Sequence, residues 1–381
     1  MNLFEALPPR RLNRIAVSSF FFLAGLCFSS WASRIPSIQQ KLQLNNVSLG
    51  GVLLALPCGL LVSLPLAGWL VARFGSRPCV IGAGLLYSAI LPLLGFAGEV
   101  WQLVTGLFFF GMAGNLLNIG INTQAIGTEA LYGRTIMASY HGLWSLAGFS
   151  GAFVGNLFLG LGWHPWQHFL VISGLAWIIV GVMARNLIVR DGAADEKRPI
   201  FARPDRSLIN LGIIAFCSMI CEGTMFDWSN VYFQKVILPP KALAGIGLTA
   251  FMSTMASGRF FGDWVATRLG VRRILQISGV LTASGLLVAI IFPWLLPALL
   301  GFLLVGAGVS SVVPLVYSAA GRSKRLSPGV ALAAVSTLGY LGFLFGPPFI
   351  GFIAQLSSLR VSLGLIAILG ATIALYSSKI E

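Results

Sequence analysis

Charge is what this sequence has least of. Only 9% of its residues are Asp, Glu, Lys or Arg, and the acids number 11 in 381. An ordinary soluble domain is about a quarter charged, so that class is excluded. Histidine occurs three times. His164 and His168 have the i, i+4 spacing of metal ligands, but Pro165 and an expected external turn intervene and no acid is near. No metal site is expected there. The five cysteines, Cys27, Cys58, Cys79, Cys217 and Cys221, fall mainly within apolar runs and form no disulfide or zinc framework. No Walker loop is present, so ATP is not the expected energy source and no cofactor is expected. No pairing of nucleophile and base is visible, which argues against a membrane enzyme.

Apolar residues fill the space that charge leaves. They make up 57% of the chain, and the mean hydropathy is +0.88. About 20 apolar residues cross a bilayer as a helix. Twelve such spans with their turns use nearly the whole chain. The spans read as 13–36, 47–71, 78–98, 101–127, 135–161 and 166–188, then 207–233, 243–266, 272–293, 295–320, 328–353 and 358–377. The run from Ile15 to Trp31 is too long for a signal peptide, and no small-residue cleavage site interrupts it. Residues 189–206 break the pattern with Asp191, Asp195, Glu196, Lys197 and Arg198, and read as a polar linker between halves 1–188 and 207–381.

The net charge of +14 invites a nucleic-acid reading, but its placement argues against one. By position, 19 of the 25 basic residues fall at the N-terminus, in alternate loops, in the middle linker and at the chain end. This is the positive-inside pattern, with both termini cytoplasmic.

The chain also repeats itself. Trp69-Leu-Val-Ala-Arg73-Phe-Gly75-Ser-Arg77 returns 195 residues later as Trp264-Val-Ala-Thr-Arg268-Leu-Gly270-Val-Arg272. Each copy closes one apolar run and opens another, so a membrane unit has been duplicated. The repeated turn resembles the loop 2–3 signature of the major facilitator superfamily, in which glycine permits a tight turn and the loop acts as a conformational latch. Ala72 and Thr267 stand where the signature has an acid. Trp31-Ala-Ser-Arg34-Ile-Pro36, His141-Gly-Leu-Trp144 with Gly148, Glu222-Gly with Asp227-Trp228, Gly258-Arg259 with Gly262, and Gly339-Tyr340 with Gly346-Pro347-Pro348 are similar to the MosC/YbjJ-like branch of that superfamily. The resemblance implies an all-α membrane protein of twelve transmembrane helices in two six-helix bundles around a central cavity. It also implies a bacterial inner-membrane transporter. The latch then assigns gating roles to Arg73, Gly75, Arg77 and Arg268.

Few ionisable residues lie within the spans, and each is costly there unless paired or wet. Glu222 sits near the middle of span 7, at the depth of transporter binding sites. A carboxyl able to load and release a proton suits proton coupling; permanent pairing with a basic group is the structural alternative. Asp227 is about 140° further round the same helix. Its depth matches Arg34 in span 1, which suggests an outer gate pair, a static ion pair, or an Arg34 that snorkels outward. Arg259 and Asp263, four apart on span 8, have the spacing of a pair on one helix face and read as gating residues.

Uncharged polar groups form a second set. Asn115, Asn118 and Asn122 share a face of span 4, and His141, Trp144, Ser145 and Gly148 share one of span 5. Asn115 reads as interhelical glue, Asn118 and Asn122 as cavity residues, and His141 as an auxiliary proton relay. Tyr317 and Tyr340 are further lining residues. The reading is a monomeric secondary transporter embedded in the bilayer. Its partners are protons and a small polar solute such as a sugar, a polyol or an amino-cyclitol. An exporter of amphipathic drugs or lipids is the rival with the same fold, and a non-transporting receptor or scaffold is the rival without transport.

Overall fold

The computed structural model describes residues 8–133, 136–189, 206–321 and 328–378. The expected linker 189–206 falls, but for its end residues, outside them, as do loop residues Arg134 and Arg322. The described residues form fifteen α-helices and no strand. In chain order these are α1 (Pro9–Ser33), α2 (Ile35–Lys41), α3 (Asn46–Leu53), α4 (Ala55–Phe74), α5 (Ser76–Phe96), α6 (Val100–Tyr132), α7 (Met137–Gly160) and α8 (Pro165–Met183). They continue as α9 (Arg206–Tyr232), α10 (Ile246–Leu269), α11 (Val271–Ile291), α12 (Leu295–Val309), α13 (Val312–Gly321), α14 (Pro328–Leu356) and α15 (Leu359–Ser377). Hydrocarbon cannot satisfy a backbone N–H or C=O, so a chain this apolar must close its hydrogen bonds within helices.

Eleven helical segments among the described residues are long and apolar enough to cross a membrane, counting α3 with α4 and α12 with α13 as one each. Of the two helices left over, α2 has only 7 residues, whereas α10 is 24 residues long, and its sequence carries Arg259, Asp263 and Arg268. The fold is that of an all-helical, multi-pass membrane protein. Trp101, Ile178 and Leu296 are among many large apolar side chains that stay exposed, as a lipid-facing surface requires.

By their contacts the helices fall into two compact units, α1, α2 and α4–α8 in one, α3 and α9–α15 in the other. In the first unit α1 packs on α7, α4 on α6, and α5 on α8; in the second α9 packs on α14, α10 on α12, and α11 on α15. The duplication is thus repeated in the packing. A Cβ on Gly111 of α6 would collide with the Leu56 carbonyl of α4, and one on Gly306 of α12 with the Phe251 carbonyl of α10. Both members of the second contact lie 195 positions after those of the first, the offset of the repeated turn. Lipid tails are as apolar as leucine, so close backbone approach supplies much of what holds such helices together.

Three boundaries differ from the spans read in the sequence. The first helix stops at Ser33 and Arg34 leaves helical geometry (φ −107°, ψ 2°), with Pro36 in the first turn of α2. Proline cannot continue the preceding helix because it lacks an N–H. Span 10 is broken at Ser310-Ser311, between α12 and α13. Pro314 follows and cannot donate to the Ser310 carbonyl. Finally, α3, expected to begin span 2 of the first half, groups by its contacts with the second unit. Gly50 lies against the Pro347 carbonyl, and Lys235 Nζ donates to Asn46 Oδ1 at 3.0 Å.

The two repeated turns share one conformation. Gly75 (φ 84°, ψ 160°) precedes α5, and Gly270 (φ 78°, ψ 154°) precedes α11. Only glycine enters that region freely. A Cβ at either position would meet open space, so substitution costs backbone strain alone. Gly75→Ala and Gly270→Ala are each expected to destabilise by about 1–3 kcal/mol. Gly68→Ala, in the body of α4 and also facing open space, should be neutral or stabilising by up to ~1 kcal/mol. Thermal unfolding in detergent of the three variants checks this ordering.

Candidate functional site

The second unit holds an ion pair within its helices. Glu222 lies in the body of α9 and is 6% exposed. Its Oε1 accepts a hydrogen bond from Arg259 Nη2 of α10 at 3.2 Å. The side chains are 8% and 15% exposed, respectively, so the pair is largely but not wholly shielded. Spacing pointed Arg259 at Asp263 on its own helix; the structure gives it Glu222 of another helix as a partner, and Arg259 has a further interaction besides. The Asp263 side chain lies outside the described residues. Ion pairs in such surroundings lose much of their attraction to desolvation, and removing one partner strands the other charge.

The break in span 10 builds the next wall of this site. Gly258, beside Arg259, has no room for a Cβ because Ser310 Oγ occupies the space, so the Ser310-Ser311 break abuts α10 at the arginine. Beyond the break, α13 carries Tyr317, within electrostatic range of Ser336 of α14. Tyr340 follows one turn later on α14. Both tyrosines are half-buried and within electrostatic range of Glu222. The structure therefore brings Glu222, Arg259, Tyr317 and Tyr340 together within one unit. Asp227, further along α9, is half-buried and makes no hydrogen bond or ion pair among the described residues.

In the first unit the amides of α6 divide. Asn115 is buried and donates to Ser63 Oγ of α4 at 2.8 Å, an interhelical bond of the kind expected of it. Asn118 is exposed, and Asn122 donates to its Oδ1 at 3.0 Å and to its carbonyl at 2.8 Å. On α7, His141 is exposed and meets the Phe21 ring edge-on at 5.4 Å. Trp144 is half-buried, 6.2 Å from the Phe28 ring, and α1 comes close because Gly25 lies against the Trp144 carbonyl. Ser145 turns inward and donates to the His141 carbonyl at 3.1 Å. Arg34 is fully buried and donates to the Trp163 carbonyl, so it does not snorkel. His168, equally buried, sits within its electrostatic range.

Arg73, expected to gate, has an aromatic support that the sequence motif does not announce. Arg73 lies over the rings of Trp69 and Phe74, 5.9 Å and 5.8 Å from their centroids. Cation–π contact of this kind is worth about 0.5–1 kcal/mol at exposed sites. It holds Arg73 beside Ala72, where the signature has an acid. Arg77 is half-buried, and Arg268 is exposed at the end of α10.

Two features of the site were beyond sequence reasoning. Partners 37 positions apart carry no spacing signal, so the Glu222–Arg259 pair was hidden. The Ser310-Ser311 break had a signal, Pro314 within an apolar run, but a proline in a membrane helix does not by itself break it.

The family model described as the Major Facilitator Superfamily matches residues 17–238. An uncharacterized MFS-type transporter of Yersinia pestis is 34% identical over 370 residues, covering 97% of this chain and 96% of that protein. Membrane protein MosC of Rhizobium meliloti is 30% identical over 367 residues, covering 96% of this chain and 90% of its own. Among solved structures, the nucleoside transporter NupG superposes with a TM-score of 0.76 over 96% of this chain and 99% of that one, at 12% identity. That likeness is one of fold.

Removing either member of the ion pair should destabilise more than removing both. Glu222→Leu or Arg259→Leu is expected to cost about 3–5 kcal/mol, and the double variant to recover most of it. A double-mutant cycle read by thermal unfolding measures the difference.

Proposed function

The chain belongs to the Major Facilitator Superfamily and is a multi-pass membrane transporter, and from that premise we propose that it moves a small polar organic solute by alternating access, coupled to protons through Glu222. The observation that carries this reading is the Glu222–Arg259 pair at 3.2 Å, largely buried yet 8% and 15% exposed. A permanent structural staple gains nothing from remaining reachable. A carboxyl that exchanges a proton needs both a partner in its charged state and a route to water. Tyr317 and Tyr340, within electrostatic range of Glu222, serve in this reading as neutral donors. A broken helix beside a binding site is also a recurrent transporter feature, because it frees backbone groups for ligands.

In this reading Asn118, Asn122, His141 and Trp144 are the first unit's contacts with the solute, His141 serving as auxiliary proton relay. Amides and an aromatic face suit a hydroxylated molecule of the sugar or polyol type. An amino-cyclitol would find Glu222 already neutralised by Arg259. Arg73, Gly75, Arg77, Arg259, Asp263 and Arg268 serve gating. The bundles 1–188 and 207–381, joined by 189–206, work as a monomer in a bacterial inner membrane. The basic residues in alternate loops favour cytoplasmic termini.

Reconstitution tests the coupling. In proteoliposomes loaded with a panel of sugars, polyols and amines, a pH gradient should drive accumulation by the wild type. Glu222→Gln should retain counterflow exchange and lose accumulation. Unchanged accumulation in that variant removes Glu222 from the coupling mechanism.

A further inference from the structure

We propose that the first unit holds a single anionic phospholipid where α5 ends and α6 begins. One acyl chain lies in the groove between these two helices, and the phosphodiester rests on Lys41. The site is independent of Glu222 and of any transported solute.

The groove has a volume of about 510 Å³. Leu86, Ile90 and Leu93 line it from α5, at the spacing of one helix face, and Trp101, Thr105 and Phe109 line it from α6. Leu86, Leu93, Trp101 and Phe109 are exposed, so the groove is open along its length. At a rise of about 1.5 Å per residue, the wall from Leu86 to Phe96 is about 15 Å long. That is half the roughly 30 Å thickness of a bilayer's hydrocarbon. The helix itself begins at Ser76, so the groove follows only one of its halves. A helix from another protein would cross both leaflets, whereas an acyl chain is confined to one.

Polar donors gather at the end of the groove near Phe96. Lys41 Nζ donates to the Gly95 carbonyl at 3.1 Å and to the Phe96 carbonyl at 3.2 Å. Phe96 and Ala97 both line the groove, so the ammonium stands at its mouth. Lys41 is exposed and has no acid partner among the described residues. An ammonium has three N–H donors, and two carbonyls leave one for a guest. Glu99, the acid of the adjoining turn, is engaged at the N-terminus of α6, where it accepts from the Gln102 N–H. Gln102 lines the groove and spends its Oε1 on the Gly98 and Glu99 N–H groups at 2.8 Å and 3.2 Å. Its Nε2 donates to nothing among the described residues. Trp101 adds an indole of the kind that sits at headgroup level. A cation and an amide donor above apolar walls match a phosphate and ester carbonyls above a chain. A zwitterionic headgroup brings its own ammonium to compete with Lys41; an anionic one does not. The plainer role for Lys41 is to cap the last carbonyls of α5, and that role is indifferent to the lipid present.

Lipid titration of the purified, delipidated full chain, followed by native mass spectrometry, tests the site. Phosphatidylglycerol and phosphatidylethanolamine with identical chains are compared, with glycerol phosphate as a headgroup without chains. One phosphatidylglycerol should be retained about fivefold more tightly than phosphatidylethanolamine, the effect of one lysine near an anionic headgroup. Lys41→Gln should make the two lipids equal, and Lys41→Arg should keep the preference. Thr105→Trp, which fills the groove, should weaken both lipids and leave their ratio unchanged. Glycerol phosphate should not displace the lipid. Thermal unfolding separates docking from capping. Lys41→Gln should lose the extra stabilisation that phosphatidylglycerol gives over phosphatidylethanolamine, whereas loss of a cap alone lowers stability equally in both. If Lys41→Gln does not fold, the wild-type ratio and Thr105→Trp decide. Equal affinity for the two lipids in the wild type overturns the assignment. So does a preference that survives Lys41→Gln, or binding indifferent to Thr105→Trp. Displacement by glycerol phosphate alone, or a dimer in place of a retained lipid, overturns it as well.

Discussion

Everything in this protein follows from a solvent that cannot hydrogen-bond. In hydrocarbon an unpaired backbone group costs several kcal/mol, so helices are obligatory. Once helices form, burial of apolar side chains no longer discriminates one arrangement from another, because lipid is as apolar as the protein. Specific packing must come from shape and from the few polar groups. Hence the contacts that place Gly111 against Leu56 and Gly306 against Phe251, and the Asn115–Ser63 bond that ties α6 to α4.

The same solvent makes ions informative. In water an exposed Glu–Arg pair is worth little. Within membrane helices a stranded charge is costly, so Glu222 and Arg259 constrain each other and the helices that carry them. The pair remains partly exposed, and tyrosines of two further helices lie within electrostatic range of its glutamate. Stability and function meet at one contact.

The two halves share an architecture and differ in chemistry. Packing pairs and glycine turns recur at a fixed offset, down to the dihedral angles of Gly75 and Gly270. The paired charges lie in the second unit, whereas the first offers the Asn118–Asn122 amides, His141 and Trp144. The latch shows the same divergence. Arg73 rests on Trp69 and Phe74, while in the second copy leucine, Leu269, follows Arg268 where Phe74 follows Arg73.

The sequence by itself determined the helical membrane class, the duplication and the family. These are properties of composition and local order: apolar runs, the repeated turn and the motifs around Trp31, His141 and Glu222. It also singled out Glu222, because an acid near the middle of an apolar span is conspicuous. Neighbours on one helix were legible from i, i+4 spacing, and the same rule pointed Arg259 at Asp263. The tertiary structure decided what crosses between helices. It set Arg259 on Glu222, buried Arg34 against the Trp163 carbonyl, opened the Ser310-Ser311 break beside Gly258, and grouped α3 with the second unit. Such partners lie far apart in the chain, and hydrophobic pattern leaves a membrane helix free to rotate about its axis. Only packing, residue against residue, fixes which face meets which.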